Sequence, residues 1–346
     1  MDWIIDTIPS PDQHYLQLAV NRQQQLTKPA GSLGMLEQLA IQLASMQATE
    51  KPCVDKVWIS IFAADHGIAT TGVSAFPQAV TAEMVKNFVS GGAAISVLAK
   101  QYQANLEIID VGVASSLSSL NIIHQKVASG TANFLDQPAM TKVQLQLALQ
   151  AGKDAIIRAQ TAKSQLFIAG EMGIANTTSA TAIACCLLNL NAQQMTGAGT
   201  GLDSSGIQRK VKVIQQALDK HKHLRQIPLS ILQHLGGFEI AALTAAYIKA
   251  AQQHMPILVD GFICSIAALV ATRLNPEIKP WLIFSHCSDE QGHQTILESL
   301  NAKPLLNLNM RLGEASGAAT AIPLLRSACA LHTQMATFAQ AQISQN

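Results

Sequence analysis

Residues 57–67 read Val-Trp-Ile-Ser-Ile-Phe-Ala-Ala-Asp-His-Gly, a mostly apolar run that ends in an acid, an imidazole and a glycine. The run at 57–63 is continuous rather than alternating, which is typical of a parallel strand buried on both faces. Similar runs lie at residues 106–111, 166–169, 257–259, 281–284 and 305–308. Helical patterns separate several of them, at residues 80–101, 144–161 and 178–188. This alternation predicts an α/β fold, a Rossmann-like and mostly parallel sheet covered by helices on both faces.

Polar residues and glycines follow the ends of these predicted strands. The segments are Asp65-His66-Gly67, Asp110-Val111-Gly112, Gly170-Glu171-Met172-Gly173, Asp260-Gly261, Ser285-His286 and residues 309–314. The carboxyl ends of parallel strands lie at one edge of an open sheet, where such folds bind their ligands. We therefore expect a single site that is assembled from many loops.

The two ends of the chain differ from its middle, because both show helical patterns and no strand pattern. Residues 1–49 and 318–346 are expected to pack together as a small helical subdomain, with a break in the second segment at Pro323. Residues 50–317 then form the large α/β catalytic domain.

The 346-residue chain is 49 % hydrophobic and 13 % charged, with a formal net charge of +1. A chain this apolar is not disordered, and it lacks the clustered basic residues that bind nucleic acid. The most apolar stretch, residues 257–271, is too short for a membrane span and contains Asp260. No signal peptide is expected at the N-terminus. Scarce charge favours either a large interior or a surface buried in an oligomer.

Metal binding is a competing interpretation of several polar segments. Asp65, His66, His286 and His293 are residue types that suit zinc or manganese, but no H-E-x-x-H spacing supports them. The six cysteines show no C-x-x-C spacing, so we predict reduced thiols in a cytoplasmic protein. A Ser-His-Asp hydrolase is also disfavoured, because its G-x-S-x-G motif is missing.

The segment Gly197-Ala198-Gly199-Thr200-Gly201 is similar to a phosphate-binding loop. Glycines let backbone N–H groups approach an anion, and a helix that begins near Ser204 would place Lys210 on the same side. The dinucleotide motif G-x-G-x-x-G and the Walker motif are both absent. An ordinary loop therefore remains an alternative at this stage.

Glu171 lies in a glycine-flanked segment that ends in Asn176-Thr177-Thr178. Asn176 or Thr177 is positioned to cap a helix that starts near Thr178. Capping alone explains the polar run, but it does not explain a carboxylate directly after an apolar strand.

Glu314 lies between glycines in Arg311-Leu312-Gly313-Glu314-Ala315-Ser316-Gly317. One interpretation is a helix N-terminal acid that interacts with the helix dipole. The other is a general base whose pKa is raised by apolar surroundings.

Taken in order, these motifs resemble one family over residues 26–330. The segments that carry the resemblance are residues 28–34, 65–67, 72–78, 87–95, 170–178, 199–201, 260–261, 285–293 and 311–317. Each segment alone has low specificity, but the ordered set is similar to the nicotinate-nucleotide:dimethylbenzimidazole phosphoribosyltransferase family.

The resemblance implies a reaction. Nicotinate mononucleotide donates its 5-phosphoribosyl group to 5,6-dimethylbenzimidazole, giving α-ribazole 5′-phosphate and nicotinate with inversion. It also implies a homodimer that needs neither a metal nor another cofactor, and that belongs to cobalamin nucleotide-loop assembly. The pyridinium leaves without a general acid, so a single base is sufficient.

The resemblance also implies roles for individual residues. Glu314 matches the catalytic base, and Glu171 matches the second glutamate of the site. The substrate-binding residues are expected to be Ser74, Phe76, Gln78, Met84, Gly173, Asn176, Thr177, Thr178, Gly199, Thr200, Gly201, Lys210, Asp260, Ser285, Leu312 and Gly313. Within this set, Ser74, Phe76, Gln78 and Met84 line the base pocket, and Lys210 neutralises the phosphate.

Two departures from the family pattern leave the acceptor open. Ala175 stands where glycine is common, and Ala315-Ser316 stands where Gly-Thr is common, so we expect their methyl groups to narrow the site. The alternative acceptors are another benzimidazole, adenine or a phenolic compound. The alternative functions are those of a transferase that uses phosphoribosyl pyrophosphate and of a nucleotide-binding protein without activity.

Overall fold

The structure is a computed structural model that describes residues 2–224 and 227–344. Six parallel strands form its sheet, in the order β3-β2-β1-β4-β5-β6. Their bounds are β1 Val57–Ala64, β2 Asn105–Gly112, β3 Ile123–His124, β4 Leu166–Met172, β5 Ile257–Val259 and β6 Leu282–Phe284. This is the Rossmann strand order, and the chain changes direction across the sheet between β1 and β4.

Helices surround this sheet. They are α1 Gln13–Gln25, α2 Met35–Met46, α3 Ala79–Ser90, α4 Ala94–Gln101, α5 Lys142–Thr161, α6 Asn176–Leu188, α7 Ala192–Met195, α8 Ser204–Lys220, α9 Pro228–Leu235, α10 Phe238–Gln252, α11 Phe262–Leu274, α12 His293–Leu300, α13 Ser316–Gln334 and α14 Phe338–Ala341. Short 3-10 helices span Asp2–Ile5, Gly67–Thr71, Lys222–Leu224 and Pro276–Trp281. No helix within the described ranges is long and apolar enough to cross a membrane.

The predicted α/β architecture is confirmed. Every residue of β1 except Trp58 is buried, so helices cover both faces of the central strand. Helices α10, α5 and α11 form one packed group, in which α10 contacts β1 and β4. Helices α3, α4 and α13 form a second connected group, in which α3 contacts β1 and β2.

The terminal segments pack against each other, because α2 contacts both α1 and α13. The Arg22 side chain of α1 donates hydrogen bonds to the carbonyl groups of His332 and Thr333 at the end of α13. Helix α13 continues through Pro323, so the predicted break there is wrong. Met1 and residues 345–346, which the predicted subdomain includes, lie outside the described residues.

Three other local predictions are wrong. Residues 305–308 form no strand, because the segment meets the sheet through a single bridge between Leu306 and His286 and a hydrogen bond from the Leu305 N–H to the Phe284 carbonyl. The helix predicted at 80–101 divides into α3 and α4, since Gly91 ends α3 with φ +84°. The side chain of Asn176 does not cap α6; the cap position is Ala175, whose φ is +75°.

Candidate active site

A cavity of about 490 Å³ opens at the carboxyl ends of β4, β5 and β6. Its size lies within the usual range for small-molecule sites. Most of the residues expected to bind substrate or to act in catalysis meet at its wall, although they come from distant segments. These are Phe76, Glu171, Gly173, Asn176, Thr177, Gly199, Thr200, Asp260, Leu312, Gly313 and Glu314.

The other predicted site residues lie outside this wall, and they are Ser74, Gln78, Met84, Thr178, Gly201, Lys210 and Ser285. Ser74 lies next to the wall, with its Oγ 3.2 Å from Thr200 Oγ1. Thr178 is fully buried in α6, and the Ser285 hydroxyl donates to the Val259 carbonyl at 2.7 Å. Gln78 and Met84 are half-buried at α3. Direct contact of these residues with a substrate remains a prediction.

Lys210 lies directly behind the wall formed by Thr177 and Gly199. Its side chain is buried, and Nζ donates to Thr177 Oγ1 at 2.7 Å. A Cβ at Gly199 would lie 3.1 Å from the same nitrogen. Burial lowers the pKa of Lys210 to about 8, although the nearby Glu290 carboxyl favours the charged form. A cation in this position attracts an anion that binds at the Thr177 and Gly199 surface.

The Glu314 carboxyl sits on an unusual turn. Gly313, Glu314 and Ala315 all have left-handed backbones, with φ of +86°, +62° and +62°. The turn is held because the Ser316 hydroxyl and N–H both donate to the Gly313 carbonyl, at 2.7 and 3.0 Å. A left-handed backbone costs roughly 1–2 kcal/mol for each non-glycine residue, and such strain clusters at functional sites.

Glu314 is only 5 % exposed, and its Oε2 has no hydrogen-bond partner among the described residues. Burial raises the pKa of this carboxyl to about 7, and the negative charge of Asp260 adds to the shift. An acid with this pKa exchanges its proton near neutral pH, which suits a general base.

Glu171 is the last residue but one of β4, and its carboxyl lies against Gly313, the neighbour of Glu314. The Asn176 amide donates to Glu171 Oε2, and a Cβ at Gly313 would lie 2.6 Å from Oε1. Burial, together with the charges of Glu239, Asp260 and Glu314, raises the pKa of Glu171 to about 8 against the opposing Asn176 bond. The cavity therefore holds two interacting carboxyl groups whose pKa values are both raised.

Two of the three histidines of the rival metal hypothesis, His66 and His293, are hydrogen-bonded within the protein. The third, His286, lines the cavity, and its Nδ1 has no hydrogen-bond partner among the described residues. His66 contacts Glu239 and Ser179, while His293 receives the Ser288 N–H on Nδ1 and lies 2.9 Å from the Ser265 hydroxyl through Nε2. Within residues 2–224 and 227–344, no three His, Cys, Asp or Glu side chains are grouped to hold a metal ion. Burial lowers the pKa of His293 to about 4, which fits a neutral structural imidazole.

The set of expected substrate-binding residues omits Glu290 and Arg311, which also line the cavity. Arg311 Nη1 donates to the Gly199 carbonyl at 3.2 Å, and the Gly199 backbone donates to Glu290. Burial raises the pKa of the Glu290 carboxyl. Both residues lie in polar segments that follow predicted strands. This position is the sequence feature that could have identified them as site residues.

The two alanine departures do not narrow the cavity as expected. Neither Ala175 nor Ala315 belongs to its wall. The Ala315 methyl instead faces the core, where a Cβ at Gly170 would come within 2.8 Å of it. Their effect falls on the backbone, because both alanines have positive φ values.

A buried acidic cavity at the carboxyl edge of a Rossmann-like sheet defines an α/β enzyme that handles a proton on a small organic substrate. Comparison with known proteins identifies the family. A family model described as phosphoribosyltransferase matches residues 8–343. The chain belongs to this phosphoribosyltransferase family and is an enzyme.

Its relatives match over nearly the whole chain. The nicotinate-nucleotide–dimethylbenzimidazole phosphoribosyltransferase of Xanthomonas oryzae is 56 % identical over 344 residues, covering 99 % of both chains. The enzyme of the same name from Pseudomonas aeruginosa is 53 % identical over 345 residues, covering 99 % of this chain and 98 % of the relative. The crystal structure of the Thermus thermophilus enzyme superposes with a TM-score of 0.91 at 38 % identity, over 97 % of this chain and 100 % of that one.

Proposed function

We propose that this enzyme transfers the 5-phosphoribosyl group of nicotinate mononucleotide to 5,6-dimethylbenzimidazole. The products are nicotinate and α-ribazole 5′-phosphate, formed with inversion at the anomeric carbon. The observation that carries the proposal is the buried Glu314 carboxyl, which lines the cavity with its pKa raised to about 7. The names of the full-length relatives supply the substrate class.

Glu314 acts in this proposal as the general base. The bond between the anomeric carbon and the pyridinium nitrogen breaks, and its electron pair neutralises the departing ring. One nitrogen of the benzimidazole bonds to the anomeric carbon, while the N–H proton of its other nitrogen passes to Glu314. Such proton transfer typically contributes about 10²–10⁴-fold to the rate, and correct placement of the two substrates supplies much of the remainder.

Glu171 acts as an uncharged partner of this base. Its pKa of about 8 lies above the value of about 7 for Glu314, so Glu171 remains protonated while Glu314 is ionised. A protonated carboxyl can donate to a ribose hydroxyl and thereby orient the sugar.

The phosphate binds at the start of α6 in this proposal. This 13-residue helix has no side-chain cap, and its positive dipole end lies at the Gly173 to Thr177 surface. The Asn176 and Thr178 N–H groups already donate to the Gly173 and Ala175 carbonyls, so the dipole is the main contribution of the helix. Thr177 and the loop of Gly199 and Thr200 complete the phosphate site, with Lys210 behind them. The planar base binds between Phe76 and Leu312, which are 51 % and 59 % exposed.

The test is a metal-free assay with nicotinate mononucleotide and a panel of acceptors, read by mass spectrometry for nicotinate and the riboside phosphate. We expect 5,6-dimethylbenzimidazole to give the highest kcat/KM within a panel that includes adenine and phenol. Turnover only with phosphoribosyl pyrophosphate and magnesium, or binding without turnover for every acceptor, would contradict the proposal. The configuration at the anomeric carbon of the product, determined by NMR, tests the inversion.

We also propose an organisation for the working enzyme. Residues 1–49 and 318–346 form a small helical subdomain beside the catalytic domain of residues 50–317, a division supported by the contacts of α2 with α1 and α13. The low fraction of charged residues supports a homodimer. The cysteine spacing, which contains no C-x-x-C pair, supports a cytoplasmic location. Light scattering after gel filtration tests the dimer, and a monomeric mass would contradict it.

A further inference from the structure

A carboxylate, an imidazole and a hydroxyl form a buried row beneath the active site. His66 Nε2 lies 2.7 Å from Glu239 Oε1, and His66 Nδ1 lies 3.0 Å from Ser179 Oγ. All three side chains are fully buried, and none belongs to the cavity wall. The order of groups is that of a hydrolytic triad, but a substrate has no access to the Ser179 hydroxyl.

Burying these three polar groups lowers the free energy gained on folding. We therefore expect the row to stabilise the local fold or to act on the active site. Removing a carboxylate from water carries a penalty of several kcal/mol, which a buried partner offsets only in part. Glu239 Oε2 has no hydrogen-bond partner among the described residues, so its desolvation is incompletely compensated. The position of Glu239 in the first turn of α10 lets the helix dipole stabilise a negative charge there.

The row touches the segment that carries Glu171. The His66 ring packs under Gly173, where an added Cβ would lie 3.4 Å from the ring and 2.4 Å from the Ala64 carbonyl oxygen. Ser179 lies in α6, which begins with the Asn176 that donates to Glu171. The row therefore fixes the turn between β4 and α6 from below.

Glu239 also acts on Glu171 through its charge. After burial, the Glu239 carboxyl is the strongest influence that raises the pKa of Glu171. The titratable groups that interact electrostatically with Glu171 are Glu239 and Tyr247 of α10, Asp260 after β5, Cys264 of α11 and Glu314. Glu239 is tied to the His66 imidazole by a hydrogen bond of 2.7 Å, whereas Asp260 lies 3.6 Å from His286 Nε2.

We propose that His66 and Glu239 are a positioning pair that holds the β4–α6 turn and keeps the Glu171 carboxyl uncharged during turnover. Ser179 donates to Nδ1, and the neutral imidazole donates from Nε2 to Glu239, so the row carries one negative charge. A second charge on Glu171 is therefore disfavoured in the dry space above it. The inference rests on the proposed function, because it gives Glu171 a role in that reaction.

The variant Glu239→Gln separates charge from hydrogen bonding. Its amide oxygen can still accept from His66 Nε2, while the negative charge is lost. Carboxyl carbon NMR on protein labelled with [5-¹³C]glutamate follows Glu171 directly, with Glu171→Gln for the assignment. We expect the Glu171 midpoint to fall by about one pH unit in the variant. In the pH profile of kcat for nicotinate mononucleotide and dimethylbenzimidazole, the decrease at high pH should shift to lower pH by the same amount, and KM should stay unchanged.

His332→Asn is the matched control. His332 is also fully buried and lies 2.9 Å from the Gln23 side chain, far along the chain in α13. We expect it to lower stability without moving the Glu171 midpoint or the limb of kcat. An unchanged midpoint in folded Glu239→Gln overturns the inference, and so does an equal shift in His332→Asn.

The wild-type titration tests the inference even where Glu239→Gln does not fold. A Glu171 carboxyl that titrates near the ordinary glutamate value in the wild type overturns it, whereas a protonated carboxyl at pH 7 supports it. NMR needs no turnover, so an absence of phosphoribosyl transfer by the wild type would contradict the proposed function alone.

Discussion

Replacement of the base by its neutral isostere, Glu314→Gln, should lower activity and raise stability together. The folded protein raises the pKa of Glu314 from 4.5 to about 7, because burial and Asp260 disfavour the charge. At roughly 1.4 kcal/mol per pH unit, a shift of this size corresponds to about 3 kcal/mol. A carboxyl whose folded-state pKa is raised costs stability as the pH rises, since the unfolded chain ionises first.

The sign of the effect fixes the pH window. Below pH 4.5 the Glu314 carboxyl is protonated in both states, and the wild type pays no ionisation penalty. Between pH 4.5 and about 7 the unfolded chain ionises while the folded protein stays protonated, so the wild-type free energy of unfolding falls relative to the variant. Above that window, the free energy of unfolding of the variant relative to the wild type should be about 3 kcal/mol greater than it is at low pH.

Urea unfolding at pH 4.5 and at pH 8 measures this difference, with the exposed-site variant Glu83→Gln as the control. The same Glu314→Gln protein should lose about 10²–10⁴-fold in kcat, because the benzimidazole proton has no acceptor. A stability difference between wild type and variant that is the same at both pH values would refute the burial argument. A kcat close to that of the wild type would refute the assignment of Glu314 as the base.

Three further predictions concern the same cavity. Lys210→Met should raise the KM for the nucleotide by about tenfold or more, whereas Lys212→Met on the exposed side of α8 should leave KM unchanged. The pH profile of kcat should rise as Glu314 ionises near pH 7 and fall as Glu171 ionises near pH 8, and Glu171→Gln should abolish the fall in whatever activity it retains. Ala315→Gly should change the free energy of unfolding by less than about 1 kcal/mol in urea titrations, because relief of the strain of a φ of +62° offsets the loss of a buried methyl group and the greater freedom of glycine in the unfolded chain; a loss above about 2 kcal/mol would contradict this.

Local sequence patterns predicted the central strands well, because their apolar runs are buried on both faces. The run at 57–63 became Val57–Ala64, and the run at 257–259 became a strand with the same bounds. The hydrophobic patterns did not predict the structure correctly at the two edges of the sheet. Ile123–His124 is too short to show a period, and residues 305–308 meet the sheet through one bridge before the chain turns at Asn309 with φ +54°.

The sequence alone determined the class of fold, the edge of the sheet that holds the site, and Glu171 and Glu314 as its acids. Each of these depends on residues that are neighbours along the chain. The tertiary structure decided what depends on neighbours in space. Lys210 stands behind Thr177, the Ala315 methyl points into the core, and Arg311 holds the Gly199 loop.

The pKa values belong to this second group. A carboxyl group has nearly the same pKa in any unfolded sequence, and only burial and the charges around it change that value. Burial raises the pKa of both Glu314 and Glu171, and Glu239 contributes to the shift of Glu171 from a helix far along the chain. The sequence therefore indicated the two acids, and the packing around them decided how far their pKa values are raised.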